Sequence, residues 1–329
     1  MKAAVYHSYG PPSVVQLADI DRPLPKPYEI QVKVFVSTVN RTDTGIRSAV
    51  YVISRLFSGI FKPKYPVLGN EFAGEVTAIG SKVTEFKKGD RVFGYNDHSF
   101  GAHAEYLTID SRKAVAQIPD SLSFTEAAPL TEGAHYALCI LRAAKVKAGD
   151  DILVYGATGA IGSAAVQVLR YLGANVTAVC PTQHVTLVRS LGAHEVIDYM
   201  TEDFTQTPKR FDFVFDAVGK SSFRQCKPVM KPRSIYISTE LGKKGENIYL
   251  AILHTFSSGR RVLFPLPSSS KQDVQYLAQL ADLGLFKPLF DRSYPLDQIV
   301  EAHRYVETGE KVGNVLIIPP HSEDPLDLS

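Results

Sequence analysis

The sequence predicts an α/β protein: a doubly wound parallel sheet joined to a second domain of barrel-like β structure. Three observations carry that reading. Short runs rich in Val, Ile and Phe, broken by Pro and Gly, fill the first hundred residues. From about residue 120 onward, strand-length apolar runs alternate with helix-length segments. Between one such run and the helix that follows it stands a glycine triplet, Gly156, Gly159 and Gly162.

In chain order, Ala3–Tyr6, Val14–Ile20, Glu29–Val39 and Phe72–Ile79 read as strands, separated by turn clusters such as Gly10-Pro11-Pro12 and Pro23 to Pro27. Lys87-Lys88-Gly89-Asp90 is a turn into Arg91–Tyr95, and Ala104–Ile109 is another strand. Many short strands with frequent turns suit a small barrel-like domain. Further on, Asp151–Tyr155, Asn175–Cys180, Phe211–Phe215 and Ser234–Ser238 are strands, with helices expected over Ala160–Tyr171, His184–Leu191 and Phe223–Met230. That alternation needs crossover connections, hence a parallel sheet covered on both faces. Ser270-x-x-Asp273 is a capping-box signal before Val274, Leu277, Ala278 and Ala281, which share one helical face. Leu289–Tyr294, Leu296–Thr308 and Val315–Ile318 close the chain as strand, helix and strand, and the polar tail Ser322–Ser329 is expected to fray.

The 329 residues suit about two domains. With 45% apolar and 21% charged residues, a mainly disordered chain is excluded. A net charge of +2 calls for neither nucleic acid nor an anionic membrane as partner. The three cysteines, Cys139, Cys180 and Cys226, form no C-x-x-C pair, which argues against a disulfide framework or a four-cysteine zinc site and for a reducing cytoplasm. The chain passes from Met1-Lys2 straight into a strand-like stretch, so no signal peptide is expected. The uncharged segment Ile152–Leu169 approaches the length of a membrane helix, but its three glycines split it into strand, turn and helix.

That segment is the most informative in the chain. Gly156 allows a tight turn, Gly159 lets backbone approach a pyrophosphate, and Gly162 lets the helix pack close to the sheet. The helix N-terminus then offers unpaired N–H groups and partial positive charge to phosphate. Strand, glycine turn and helix together read as a Rossmann dinucleotide fingerprint, spaced G-x-x-G-x-x-G. Gly156, Ala157, Thr158, Gly159, Ala160 and Ile161 are the expected cofactor-binding residues of this turn. The end of the next strand chooses the nucleotide, since an NAD site usually places Asp or Glu there to hold the ribose 2′-hydroxyl. Val179-Cys180-Pro181-Thr182-Gln183-His184 contains no acid. The expected cofactor is therefore NADPH, with Cys180, Thr182 and Gln183 at its adenosine end and His184 and Arg189 as further donors.

Two other motifs fail. Gly219-Lys220-Ser221 resembles the end of a phosphate-binding P-loop, but Val214 stands where the first glycine is required. The Tyr-x-x-x-Lys pair of short-chain reductases occurs nowhere in the chain.

Gly69-Asn70-Glu71-Phe72-Ala73-Gly74, Ala104-Glu105-Tyr106, Asp216-Ala217-Val218-Gly219 and Gly313-Asn314-Val315 resemble motifs of the medium-chain dehydrogenase/reductase superfamily, over nearly the whole chain. Within it, Asn40-Arg41-Thr42-Asp43 followed by Arg47 is similar to the N-x-x-D-x-x-x-R segment of zinc-independent quinone oxidoreductases and related enone reductases. The resemblance implies a GroES-like β-barrel domain, residues 1–120 completed by 290–329, around a Rossmann NADP-binding domain, 121–289, with the active site in the cleft between them. It also implies that Asn70 stands where zinc alcohol dehydrogenases carry a histidine ligand, and that the cysteine ligand near Asn40–Asp43 is missing. An Asn amide is a poor zinc ligand and no cysteine precedes Cys139. No metal is expected, and His98 with His103 read as solvated loop histidines.

Without a Lewis acid, the chemistry left is direct hydride transfer to an acceptor that is already electrophilic, a quinone or an α,β-unsaturated carbonyl. Charge developing on the acceptor oxygen then needs hydrogen-bond donors. The resemblance places Asn40 beside the nicotinamide as such a donor, against a plain turn-forming role. Asn70 is expected to line the pocket. Asp43 and Arg47 are expected to pair and support the loop, and Glu71 to be structural. Tyr51 and Tyr65 bracket an apolar segment, with Val52, Ile53, Leu56, Phe57, Ile60 and Phe61 at near-helical spacing, which reads either as a packed helix or as a flap whose Tyr51 hydroxyl protonates the product. The resemblance also puts Tyr199 near the adenine ribose, Val218, Gly219 and Ser238 near the nicotinamide ribose, and Asn314 with Lys311 at the cofactor from the C-terminal segment. Glu132 and His135 receive no role.

The expected protein is thus a cytoplasmic NADPH-dependent quinone or enone oxidoreductase with a small-molecule substrate. It is expected to pair as a homodimer through the strand at Arg261–Leu266. The alternatives are an NAD(P)-dependent alcohol dehydrogenase with an unconventional metal site and an NADPH-binding protein without turnover.

Overall fold

The computed structural model describes residues 1–50 and 55–320. They form two compact units, the described residues of 1–132 with those of 269–320, and Gly133–Ser268.

In the first unit, β1 (Lys2–Val5) and β2 (Gln16–Asp19) make an antiparallel ribbon. The main sheet has seven strands. Its first five are β3 (Glu29–Val39), β4 (Glu71–Ile79), β5 (Arg91–Tyr95), β6 (Tyr106–Asp110) and β7 (Val115–Gln117). The sheet is centred on β3, which pairs antiparallel with β4 and with β6. Ile30, Val32, Val34, Phe72, Val76, Val92, Leu107 and Val115 turn to one core, as period-two alternation requires.

The second unit carries β8 (Asp151–Tyr155), β9 (Asn175–Cys180), β10 (Glu195–Asp198), β11 (Phe211–Asp216), β12 (Met230–Ser238) and β13 (Arg261–Leu263). They form one parallel sheet in the order β10-β9-β8-β11-β12-β13. The order reverses between β8 and β11, and that switch point is where open α/β sheets receive ligands. The fold is therefore the Rossmann-type sheet plus β domain that the sequence predicts.

The chain then returns to the first unit. The helix Lys271–Asp282 has Ser270 as N-cap, its hydroxyl accepting the Asp273 amide at 3.1 Å. It is tied to the β unit by Ser121 Oγ to Asp282 Oδ1 at 2.6 Å. β14 (Phe290–Pro295) and β15 (Asn314–Ile318) pair in parallel, and β15 joins the edge of β3.

Three departures from the sequence expectation have physical causes. The helix expected over Phe223–Met230 stops at Cys226 and continues as a 3₁₀ turn, Lys227–Val229, because Pro228 lacks the amide that helix continuation needs. A helix over Arg41–Ser48 had no apolar periodicity to announce it: its buried side chains are Asp43, Thr44 and Arg47. β10 was missed because only Val196 and Ile197 of its four residues are apolar.

Candidate functional site

In the Rossmann-type unit the three glycines have distinct roles. Gly156 ends β8 with φ of +81°, and a Cβ there would lie 2.6 Å from Val218 Cγ1, so any side chain is strained and obstructed. A Cβ on Gly162 would meet the Gly156 carbonyl oxygen at 2.1 Å, which fixes the close approach of helix to turn. Gly159 is different. A Cβ there would touch nothing nearer than Gly156 O at 3.6 Å, so the fold does not demand its glycine. Gly159 is the N-cap of the helix Ala160–Tyr171 and offers that helix no side-chain cap. The first-turn amides of that helix therefore have no side-chain cap, and helix ends of this kind bind pyrophosphate.

Ala157 is buried beneath this turn, with the Gly156 and Ala157 amides on the Val179 carbonyl at 3.2 and 3.3 Å. Thr158, Ala160 and Ile161 lie partly exposed on it. Cys180 is buried at the end of β9, and that burial pushes its thiol up to about 11. Thr182 and Gln183 are exposed on a 3₁₀ turn, Thr182–His184.

An acid stands beside them after all. Asp198, at the end of β10 in register with Cys180, accepts the Thr182 hydroxyl at 2.6 Å and the Met200 amide at 3.0 Å. The end of β9 itself carries no acid; the carboxylate comes from the neighbouring strand. Tyr199 is exposed and its ring stacks on Tyr155 at 6.4 Å.

Val218 and Gly219 are held by a residue to which the sequence reading gave no task. Asp216, wholly buried at the end of β11, accepts the amides of Val218 and Gly219 at 3.1 and 2.8 Å through Oδ1, and of Ser221 at 2.7 Å through Oδ2. An aspartate followed by a glycine-containing loop was the available signal. Ser238 is buried at the end of β12, its hydroxyl accepting the Glu240 amide at 3.2 Å.

In the β unit, Asn40 and Asn70 border one buried carboxylate, Glu71. Glu71 Oε1 accepts the Thr131 amide and hydroxyl at 2.9 and 2.8 Å and the Glu132 amide at 2.5 Å. Its Oε2 accepts the Thr38 hydroxyl at 2.7 Å and Asn40 Nδ2 at 2.9 Å. Burial raises its pKa, and the donors from Glu132, Thr38 and Thr131 oppose the rise. Asn40 also gives Nδ2 to Thr38 Oγ1 at 3.1 Å. Asn70 is 1% exposed, and neither end of its amide has a hydrogen-bond partner among the described residues. Asn314 is likewise buried and donates Nδ2 to the Leu289 carbonyl at 2.9 Å.

The expected Asp43–Arg47 pair takes another form. Asp43 accepts the Asn40 amide at 2.9 Å and the Gly69 amide at 3.1 Å, while Arg47 reaches Glu307. His103 is no solvated loop residue: it is buried, with Nε2 at 2.8 Å from the Thr38 carbonyl oxygen, whereas His98 is exposed. Among the described residues no three His, Cys, Asp or Glu side chains are grouped so as to hold a metal ion. Tyr51 and the start of its apolar segment lie outside the described residues.

A glycine turn at the switch point of a parallel sheet, in a chain that also folds a mainly antiparallel β unit, defines a dehydrogenase-like class of α/β protein. Comparison with known proteins agrees. The family described as "Alcohol dehydrogenase GroES-like domain" matches residues 26–120, and that described as "Zinc-binding dehydrogenase" matches residues 191–317. The chain is 30% identical over 335 residues to the quinone oxidoreductase of Homo sapiens, covering 97% of each chain. It is 30% identical over 331 residues to 2-methylene-furan-3-one reductase of Solanum lycopersicum, covering 97% of this chain and 79% of that one. Among solved structures, Escherichia coli quinone oxidoreductase complexed with NADPH superposes with a TM-score of 0.81 at 26% identity, over 97% of this chain and all of the other. The chain belongs to the medium-chain dehydrogenase/reductase superfamily of oxidoreductases.

Proposed function

We propose that the protein reduces a quinone or an α,β-unsaturated carbonyl with NADPH and without a metal ion. The observation that carries the reading is the turn at Gly159, where the protein's own packing would admit a side chain and the helix end is nonetheless left uncapped. Gly156 to Ile161 would hold the pyrophosphate, Tyr199 with Cys180, Thr182 and Gln183 the adenosine end, and Val218, Gly219 and Ser238 the nicotinamide ribose. When bound, the nicotinamide supplies the hydride.

Donor chemistry supports the metal-free part. The Asp43 and Glu71 carboxylates are engaged by backbone and side-chain donors, and Asn70 offers only an amide. The names of the human and tomato relatives support the substrate class, since 2-methylene-furan-3-one is itself an α,β-unsaturated ketone. The choice of NADPH is supported by Gln183 and His184 on that turn and by the Escherichia coli structure, the Thr182 hydroxyl being already given to Asp198. Asp198 works against it.

Purified protein with NADPH and a panel of quinones and enones should lose nicotinamide absorbance, with activity unchanged after chelator dialysis. Tight NADPH binding with no turnover on any acceptor would favour a non-catalytic role, and stoichiometric retained zinc would favour an alcohol dehydrogenase. We further propose a homodimer. β13 is an edge strand of its sheet, and Ile252, Leu253, Phe256 and Leu266 of the same unit are exposed. Light scattering on a sizing column should return twice the chain mass. Among the described residues no helix is long and apolar enough to cross a membrane.

A further inference from the structure

In the proposed nucleotide site, on which this inference rests, Gly219 and Ser238 hold the nicotinamide ribose. Both are in contact with the same residue, Glu240. Gly219 has φ of +66°, and a Cβ there would lie 2.3 Å from Glu240 Cγ and 2.5 Å from Glu240 Cβ. The positive φ already favours glycine, and the Glu240 stem, lying against the loop, makes any side chain at 219 an obstruction as well.

The backbone of Glu240 is held from both sides. Its amide goes to Ser238 Oγ at 3.2 Å, and its carbonyl accepts Nδ2 of the buried Asn247 at 2.7 Å. The loop on which it packs is fixed too. Asp216 gathers the amides of Val218, Gly219 and Ser221, and the Asp216 carbonyl accepts the Thr239 amide at 3.1 Å. All of these residues belong to one unit, Gly133–Ser268. Contacts within that unit therefore lay a half-buried glutamate along the residues that would hold the nicotinamide end.

We propose that Glu240 sets the redox preference of this site by favouring the oxidised nucleotide. As a hydride and its electron pair pass to the acceptor, the neutral dihydronicotinamide ring is left as a cation, and a proton from water completes the reduction of the acceptor. The rest of the nucleotide is the same in both forms. A carboxylate near the ring tightens the cationic form and leaves the neutral one almost untouched. By linkage, the bound reduced nucleotide becomes a stronger hydride donor in proportion to that difference. A second carboxylate, Asp216, is wholly buried and engaged by the loop amides, so its loss would disturb the loop itself. Glu240 can lose its charge and keep its stem.

The test is calorimetry of NADP⁺ and NADPH binding to wild type and to Glu240→Gln. Both nucleotides carry the same phosphates, so the ratio of their Kd values reports the ring charge and cancels the rest. E240Q should weaken NADP⁺ by about fivefold and NADPH by less than about 1.5-fold. A second measurement needs no variant: raising salt from about 0.05 M to about 0.5 M should weaken NADP⁺ relative to NADPH in wild type, because screening does what the amide does. A Kd ratio unchanged by E240Q, whether both nucleotides weaken equally or neither does, would overturn this inference alone. So would a wild-type ratio that is independent of salt. Wild type that binds neither nucleotide would overturn the proposed site and this inference together.

Discussion

The two units prepare for chemistry in opposite ways. The Rossmann-type unit builds its site from backbone: Gly156, Gly159 and Gly162 shape a turn, and the helix end behind it supplies amides. The β unit builds from side chains, gathering Thr38, Asn40, Thr131 and the Glu132 amide around Glu71, from segments up to 94 residues apart. A backbone site is written in short range, by spacing; a side-chain site appears only when distant strands meet. The first tolerates few changes of shape, and the second few changes of charge.

The largest expected effect lies in the β unit. Glu71→Ala removes the acceptor for five buried hydrogen bonds. Buried donors left unpaired cost about 1–3 kcal/mol each, with partial relief by relaxation, so a loss of about 4 kcal/mol is expected by urea unfolding. A loss below about 1 kcal/mol would show that the cluster relaxes freely and would blur the contrast between the units.

In the other unit, neighbouring glycines should separate folding from binding. Gly162→Ala drives a Cβ into the Gly156 carbonyl oxygen and should cost about 3 kcal/mol. Gly159→Ser meets no such obstacle and places a good N-cap on the helix, so stability should hold or rise. NADPH affinity should nonetheless fall by about tenfold or more, because the hydroxyl occupies the space left for pyrophosphate. A stable Gly159→Ser protein that binds NADPH normally would remove the main support for the nucleotide site.

A smaller effect tests the adenosine end. Asp198→Asn deletes a carboxylate that holds Thr182 Oγ1 at 2.6 Å. Relief of repulsion on a 2′-phosphate is worth about 1 kcal/mol at a partly exposed site, or about fivefold. NADPH should bind more tightly to this variant and NADH no more tightly. Equal changes for both nucleotides would show that Asp198 does not face the 2′ position.

The contrast also explains what was legible in the sequence. The parallel sheet, its helices and the glycine turn follow from periodicity and spacing within about 30 residues. Asp198 escaped because the end of β9 was searched without the strand that pairs with it, and β10 is too short for its pattern to register. Asp43 and Arg47 were expected to pair with each other, but the partners found, the Gly69 amide and Glu307, lie 26 and 260 positions away. Glu132 carried no signal at all. A lone glutamate at the start of a helix usually reads as a favourable first-turn charge in water, and only the packed structure shows it buried.

That buried glutamate gives the smallest expected effect and a definite sign. Its pKa in the folded chain is raised, by burial first and then by Asp43 and Glu71, so the folded state holds a proton that the unfolded state has lost. The stabilisation this confers is fully present below the unfolded value of about 4.3 and fades as pH rises through the folded value. Glu132→Gln is neutral at every pH and lacks the slope. Urea midpoints taken from about pH 5 to pH 7.5 should show wild type losing stability relative to E132Q, on the order of 1 kcal/mol. Above about 8, Lys311 acts in the opposite sense. Its folded pKa is depressed, so the unfolded chain holds the extra proton and stability gains with pH until the ordinary lysine range is reached. K311M should abolish that upper rise and leave the lower decline in place. A wild-type curve parallel to E132Q throughout would mean that Glu132 stays ionised in the folded protein, paired with Lys311 at all accessible pH.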